Sequence, residues 1–195
     1  MNSAIIDPSD YTRTLNLAEL FPTSAPLEID VGCGKGRFLA ARAKRLPEFN
    51  FLGIDRLLAR LRRVDKKIWR DALSNVRLLR LEAAYTIAYL LPAASVSMFH
   101  VFFPDPWPKR RHHRRRLFTE TFPSDLHRVL RPGGQINVAT DHADYFAHIH
   151  SLLASDTRYT EIEPFAPCPE ERTDFEVLFL NKGDPVSRCS FKKRT

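Results

Sequence analysis

The sequence predicts an α/β domain: a mostly parallel sheet covered by helices on both faces. Two observations carry this. From Pro26 onward, short apolar runs alternate with segments of helical period, the pattern of strands joined by helical crossovers. The residues able to do chemistry, from the Gly32–Gly36 loop through Asp55, Glu82, Asp105 and Asp141, each stand just after such a run. Right-handed crossovers bring those ends to one edge, where open α/β sheets bind their ligands.

Residues 1–25 read as a short N-terminal arm, with turn formers at Asp7-Pro8-Ser9-Asp10 and Phe21-Pro22 and an apolar stripe of Leu15, Leu17, Leu20 and Phe21. Residues 26–195 read as one domain of a size that buries a real core. Seven strands are expected, at Leu27–Val31, Phe49–Ile54, Val76–Leu81, Val96–Phe103, Gln135–Ala139, Tyr159–Ile162 and Val186–Phe191. Between them lie helical patterns. Arg37–Leu46 follows the glycine loop, and Arg56–Ala72 repeats Leu57, Leu61, Val64 and Ile68 at the helical period. Tyr85–Leu91 is closed by Pro92, and Phe118–Leu130 is interrupted near Pro123 and ended by Arg131-Pro132-Gly133-Gly134. Ala143–Ala154 completes the set, and Pro164–Pro169 reads as a loop.

Hydrophobic residues make up 44% of the chain, which is not a disordered composition. No apolar run approaches the roughly 20 residues of a membrane span, and the first thirty residues lack a signal-peptide pattern. Cys33, Cys168 and Cys189 have no metal-ligand spacing. They are read as reduced thiols of a cytoplasmic protein. The net charge of +7 makes a polyanion a candidate partner.

LEIDVGCGKGRF places Gly32, Gly34 and Gly36 at a strand-to-helix turn, where glycine lets the backbone approach a ligand. Position 37 is arginine, so the dinucleotide fingerprint is broken, and the loop suits a small nucleoside instead. Asp55, ending the second strand, is placed to accept both ribose hydroxyls. Glu82, ending the third, is placed to accept from the exocyclic amine of adenine. Asp30, beside the loop, is placed to hold an amino-acid tail. Adenosine carrying such a tail describes S-adenosylmethionine. Against this, a strand-end acid is commonly a helix cap.

HVFFPDPWPKRRHHRRRLF, from His100 to Phe118, is more than a fold needs. Its prolines restrict φ and remove donors, which holds Asp105 and Trp107 in place. Lys109 to Arg116 then carries six Lys or Arg and two His; such a run is commonly a solvated face, but directly after a held carboxylate and tryptophan it suits phosphates. His112 and His113 have no partner at metal-ligand spacing, and His100 reads as a core histidine. Asp141, after the fifth strand, is placed to cap Ala143–Ala154. Thr173-x-x-Glu176 has capping-box spacing.

These residues carry a resemblance. From about Leu27 to Arg194 the chain resembles the bacterial tRNA (guanine-N(7)-)-methyltransferase family. Phe103–Arg116 matches its FPDPWPK-x-RH-x-KRR signature with an arginine at the lysine position, Ala139-Thr140-Asp141 its ATD motif, and Thr173-Asp174-Phe175-Glu176 its T-x-F-E motif. Asp30 and Asp55 stand where members usually carry Glu, and Glu82 where they carry Asp or Asn. Each departure keeps an acceptor and changes its reach by one methylene.

The resemblance implies a Rossmann-like class I S-adenosylmethionine-dependent methyltransferase with no metal and no obligate protein partner. Its substrate would be tRNA, and its product 7-methylguanosine in the variable loop (position 46 by tRNA convention). Asp30, Gly32, Gly34, Gly36, Asp55, Glu82 and Asp105 would bind the cofactor, with Asp105 also catalytic. Lys109, Asp141, Thr173, Phe175 and Glu176 would contact substrate, and Arg110, Arg111, Arg114, Arg115 and Arg116 the phosphates. The alternatives are an amino-group nucleic-acid methyltransferase of the same fold and a catalytically silent tRNA-binding protein.

Overall fold

The computed structural model describes residues 3–8 and 10–195, so Ser9 of the anticipated Asp7–Asp10 turn lies outside it. The strands are β1 (Ile5–Ile6), β2 (Leu27–Val31), β3 (Asn50–Ile54), β4 (Val76–Leu79), β5 (Val96–Phe102), β6 (Leu130–Thr140), β7 (Tyr159–Ile162) and β8 (Ser187–Lys193). They form one sheet in the order β1-β4-β3-β2-β5-β6-β8-β7. Pairing is parallel except at β8, which runs antiparallel to both its neighbours. Stepping outward from β2 in both directions is the doubly wound arrangement, with its ligand crevice where the order reverses.

Each face carries its own core, because side chains alternate along a strand. On one face α2 (Arg37–Arg45) and α3 (Leu58–Arg70) press Leu39, Leu61, Val64 and Ile68 onto Phe51, Val76 and Leu78. Gly53 admits α2 here, since a Cβ would lie 2.6 Å from Leu39. On the other face, α5 (Phe122–Val129) and α6 (Ala143–Ala154) bury Leu126, Val129, Tyr145 and Ile149 against Ile29, Phe99, Ile136 and Val138. No helix among the described residues is long and apolar enough to cross a membrane.

The expected strands are present, and an eighth is added. Ile5–Ile6 of the N-terminal arm pairs in parallel with Leu78–Leu79, steadied by the Ala4 N–H donating to Asp65 at 2.7 Å. Two residues are too few for an alternation to show. A short α1 (Leu17–Leu20) follows in the same arm.

Three boundaries shift for local reasons. The segment expected at Tyr85–Leu91 is α4 (Ala83–Tyr85) running into a π-helical turn over Thr86–Leu90. Pro123 falls in the first turn of α5, so it starts the helix instead of interrupting it. Arg131–Gly134 belongs to β6. A further helix, α7 (Asp174–Lys182), stands between β7 and β8.

Candidate active site

Strand register brings the expected residues to one edge. Asp30 pairs with Gly53 and with His100 on the other side; Ile54 pairs with Leu79, and Phe102 with Ala139. Asp55, Glu82, Asp105 and Asp141 all follow within three residues of these carboxyl-terminal levels.

The glycine loop is folded by its own backbone. The N–H groups of Gly32 and Cys33 donate to the Ile54 carbonyl (2.8 and 3.0 Å), and Gly36 N–H to Cys33 O (2.8 Å). Gly32, Gly34 and Gly36 all have φ between 54° and 77°, the left-handed region that other residues enter at a cost. Gly36 is required twice, since a Cβ there would lie 2.5 Å from Val64. Beyond Gly32 a Cβ would meet nothing within 4 Å, so that side is open to a ligand.

Asp55 ties the loop to the sheet. Its Oδ2 accepts from Gly34 N–H (3.1 Å) and its Oδ1 from Leu57 N–H (2.8 Å), with the Arg60 guanidinium at 3.5 Å. Asp30 is 5% exposed. Burial first, and then the neighbouring Asp55, push its carboxyl up to about 7. A cation set against this pair would relieve both effects. Glu82 does cap a helix: its Oε2 accepts from Tyr85 N–H at 2.7 Å. Glu82 also borders a cavity of about 470 Å³ that Ile5, Tyr11, Arg56, Leu58 and Leu81 help to line. That volume suits a small ligand. The acids, the positive-φ loop and the cavity fit an adenosine with a charged amino-acid tail.

The Pro-Asp-Pro-Trp segment is held under strain. Phe103 and Trp107 have φ of +53° and +41°, each costing about 1–3 kcal/mol. Phe103 N–H donates to Ala139 O (2.7 Å), fixing one end to β6. The Arg116 Nε–H donates to Pro106 O (2.8 Å), and its guanidinium lies 4.6 Å from the Tyr145 ring centroid. Asp105 itself is exposed, held by its neighbours and open to a substrate.

Arg116 therefore corrects the expected phosphate set. It is 8% exposed because it braces the loop. The rest of the run, Lys109 to Arg115, is largely exposed, with Arg110–Arg115 forming a 3-10 helix. Arg115 stacks 5.0 Å above the Trp107 ring.

The two capping alternatives resolve differently. The cap of α6 is His142, whose Nδ1 accepts from Tyr145 N–H (3.3 Å), so exposed Asp141 has no helix to cap. Thr173 does cap α7, its Oγ1 accepting from Glu176 N–H (3.0 Å). The reciprocal half of the box is replaced. The Glu176 carboxylate is 3% exposed, and its Oε1 takes Arg188 at 2.6 Å and Arg172 at 3.6 Å. Its Oε2 and the Nη1 of Arg188 are buried without a protein partner. Phe175 is 54% exposed, its ring 6.1 Å from that of Phe103.

Sequence reasoning missed Arg188 and the buried network beneath the site. Arg42 forks onto Glu28 and reaches Glu171 at 3.4 Å, which also takes Arg45. His100 Nε2 lies 2.9 Å from Glu28. Burial pushes Glu28 up, but the hydrogen bonds from His100 and Arg42 prevail and hold it at about 2. Burial pushes His100 down. Phe165 N–H donates to Ser190 (2.9 Å), so the Pro164–Pro169 loop is anchored at its start, and Glu171 just beyond its end is tied to α2. His100 is the core histidine the sequence suggests.

Residues 24–189 match the family model described as "Putative methyltransferase". Among solved structures, the 16S rRNA methyltransferase KamB superposes with a TM-score of 0.67 at 17% identity, covering 92% of this chain and 93% of that one. A putative methyltransferase from Streptococcus mutans in complex with SAH gives 0.57 at 11% identity, over 87% and 89%. These likenesses show the fold, a Rossmann-like class I methyltransferase. The tRNA (guanine-N(7)-)-methyltransferase of Nitrosococcus oceani is 33% identical over 93% of this chain and 78% of its own length. That of Neisseria meningitidis serogroup A is 36% identical over 94% and 79%. With the FPDPW loop, the glycine turn and the strand-end acids assembled on one edge, and with relatives of that likeness over nearly the whole chain, the protein belongs to the tRNA (guanine-N(7)-)-methyltransferase family.

Proposed function

We propose that this protein transfers a methyl group from S-adenosylmethionine to N7 of a guanine in tRNA, in the variable loop at position 46, leaving 7-methylguanosine. The observation that carries the reading is Asp105: an exposed carboxylate on a braced, strained loop, at the same sheet edge as the glycine turn and its three acids.

S-adenosylmethionine, when bound, supplies a methyl group on a sulfonium, a good leaving group. Asp55 would take the ribose hydroxyls on lone pairs its two backbone donors leave free. The second oxygen of Glu82 would take the adenine amine, and Asp30 the ammonium of the tail. Guanine N7 already presents a lone pair, so no base is needed to uncover it. Methylation leaves the purine cationic. Asp105, accepting from the N1 and N2 edge, would select guanine and offset the developing charge. The braced loop would hold that carboxylate in position before the substrate arrives.

Lys109, Arg110, Arg111, Arg114 and Arg115 would hold the flanking phosphates. Asp141, freed from capping, Thr173 and the exposed Phe175 would contact the nucleoside, and buried Glu176 would hold that segment in place through Arg188 and Arg172. Unpaired Cys33, Cys168 and Cys189 suit a reducing cytoplasm. The test is transfer from labelled S-adenosylmethionine to unmodified tRNA, followed by nucleoside mass spectrometry. Label in 7-methylguanosine of the variable loop supports the reading; label in a 6-methyladenosine product, or binding of both substrates without transfer, overturns it.

A further inference from the structure

We propose that the groove between α2 and α3 is a second docking surface for tRNA, taking the sugar-phosphate backbone of the molecule whose guanine lies at the carboxyl edge. The proposal rests on the function above and extends it to a face the sequence motifs do not mark.

The positive charge of this chain is not spread over its surface. Lys109–Arg116 holds six Lys and Arg and no carboxylate, and Arg56–Asp71 holds seven against Asp65 and Asp71. The rest of the chain is net acidic, with 17 Lys and Arg against 21 Asp and Glu. A face built only for solubility mixes its signs. The acids were there to mix, and α3 does not use them.

Spacing turns the excess into a line. Within α3, Arg60, Arg63, Lys67 and Arg70 follow one another at steps of three, four and three, which keeps them on one side of the helix. The line is roughly 15 Å long at the rise of an α-helix, enough to follow two or three phosphates of one strand. Leu61, Val64 and Ile68 face the core. Asp65, on the far flank, is taken by the N-terminal arm through Ser3 Oγ (2.8 Å) and Ala4 N–H. The cation line therefore borders α2, which α3 meets where Gly36 packs on Val64.

The facing flank of α2 is cationic too. The charges of Arg37 and Arg70 act on Lys67, and that of Lys44 acts on Asp71 at the end of α3. Some of these cations have local partners: Arg60 has Asp55 at 3.5 Å, Arg70 has Asp71, and Arg37 has Asp174 at 4.0 Å. Among the described residues Lys44, Arg63 and Lys67 have none within 4.0 Å. Like charges crowded into a groove repel one another, and a polyanion removes that cost. The groove is also continuous with the site. It begins beside Asp55 and passes the start of α7, where Asp174 follows Thr173. A backbone leaving the carboxyl edge on this face would enter it directly.

The test compares two double variants of the same helix, each removing two charges. Arg63→Gln/Lys67→Gln lies in the groove, and Arg62→Gln/Lys66→Gln lies on the other flank. Affinity for unmodified tRNA is measured against salt concentration for both and for the wild type, together with methyl transfer and thermal melting. The groove variant should bind about tenfold or more weakly, with a salt slope reduced by about 2, one for each phosphate no longer neutralised. Its KM for tRNA should rise in step. The flank variant should match the wild type in all three. Equal affinity and slope in the groove variant, or equal losses in both variants, would overturn the proposal. Wild-type protein that binds tRNA but transfers no methyl would overturn the function and leave the groove to the binding data. No wild-type binding would overturn both.

Discussion

Arg116 donates to the carbonyl of Pro106, one residue past Asp105, across 2.8 Å. The chain between them contains the basic run, so this bond closes a loop that presents the carboxylate on one side and cations on the other. Arg116→Met keeps the bulk over Tyr145 and removes the donor. Turnover should fall about tenfold or more through a misplaced Asp105, while tRNA affinity and its salt slope barely change. A reduced slope with normal turnover would make Arg116 a phosphate contact.

Glu171 ties the loop ahead of the Thr173–Glu176 segment to α2, through Arg42 and Arg45. It is 1% exposed. Glu171→Ala leaves Arg42 buried with one partner fewer. Breaking a buried ion pair typically costs about 3–5 kcal/mol, readable as a lower urea midpoint. Stability within about 0.5 kcal/mol of wild type would show the network is not holding this loop.

Gly34 and Gly36 should separate stability from binding. At Gly34 an added Cβ meets nothing closer than 3.8 Å, whereas at Gly36 it meets Val64. Gly36→Ala should therefore melt well below Gly34→Ala. Gly34→Ala should lose affinity for S-adenosylmethionine through its shifted N–H, which Asp55 now fixes. Equal melting temperatures would contradict the packing argument. Calorimetry with the cofactor checks the second half.

Asp30 gives the site a pH signature. Its carboxyl titrates near 7 when folded against an ordinary value of 3.8, raised by burial and by Asp55. A carboxyl whose folded value lies above its unfolded one contributes fully below the unfolded value. That contribution is lost as pH rises through the window from about 4 to about 7. Relative to Asp30→Asn, ligand-free wild type should thus lose stability across this window and be the less stable of the two at pH 8. Its affinity for S-adenosylmethionine should rise over the same interval, as the carboxylate forms to meet the ammonium. A constant stability difference between the two proteins from pH 4 to 8 would contradict the assignment.

The sheet and most of the site were legible because strand ends, glycines at a βα turn and a proline-locked carboxylate leave local marks. The parts that were not legible depend on distant partners. DFEVLFLNK is apolar on every side, so α7 shows no stripe, and Phe175, Leu178 and Leu180 remain exposed. Asp141 and His142 compete for one cap, and only the fold chooses between them. Arg116 looks like its five basic neighbours until Tyr145 is brought beneath it. The cations of α3 did have a readable period, masked by the apolar stripe that explained the helix without them.

The central claim is that the acceptor is N7 of guanine. It is tested most directly with a tRNA transcript in which every guanine is replaced by 7-deazaguanine, which keeps the N1 and N2 edge but has carbon in place of N7. The transcript should bind and take no methyl group, while the unsubstituted transcript is methylated under the same conditions. Comparable incorporation into both would place the methyl group on another atom and contradict the account.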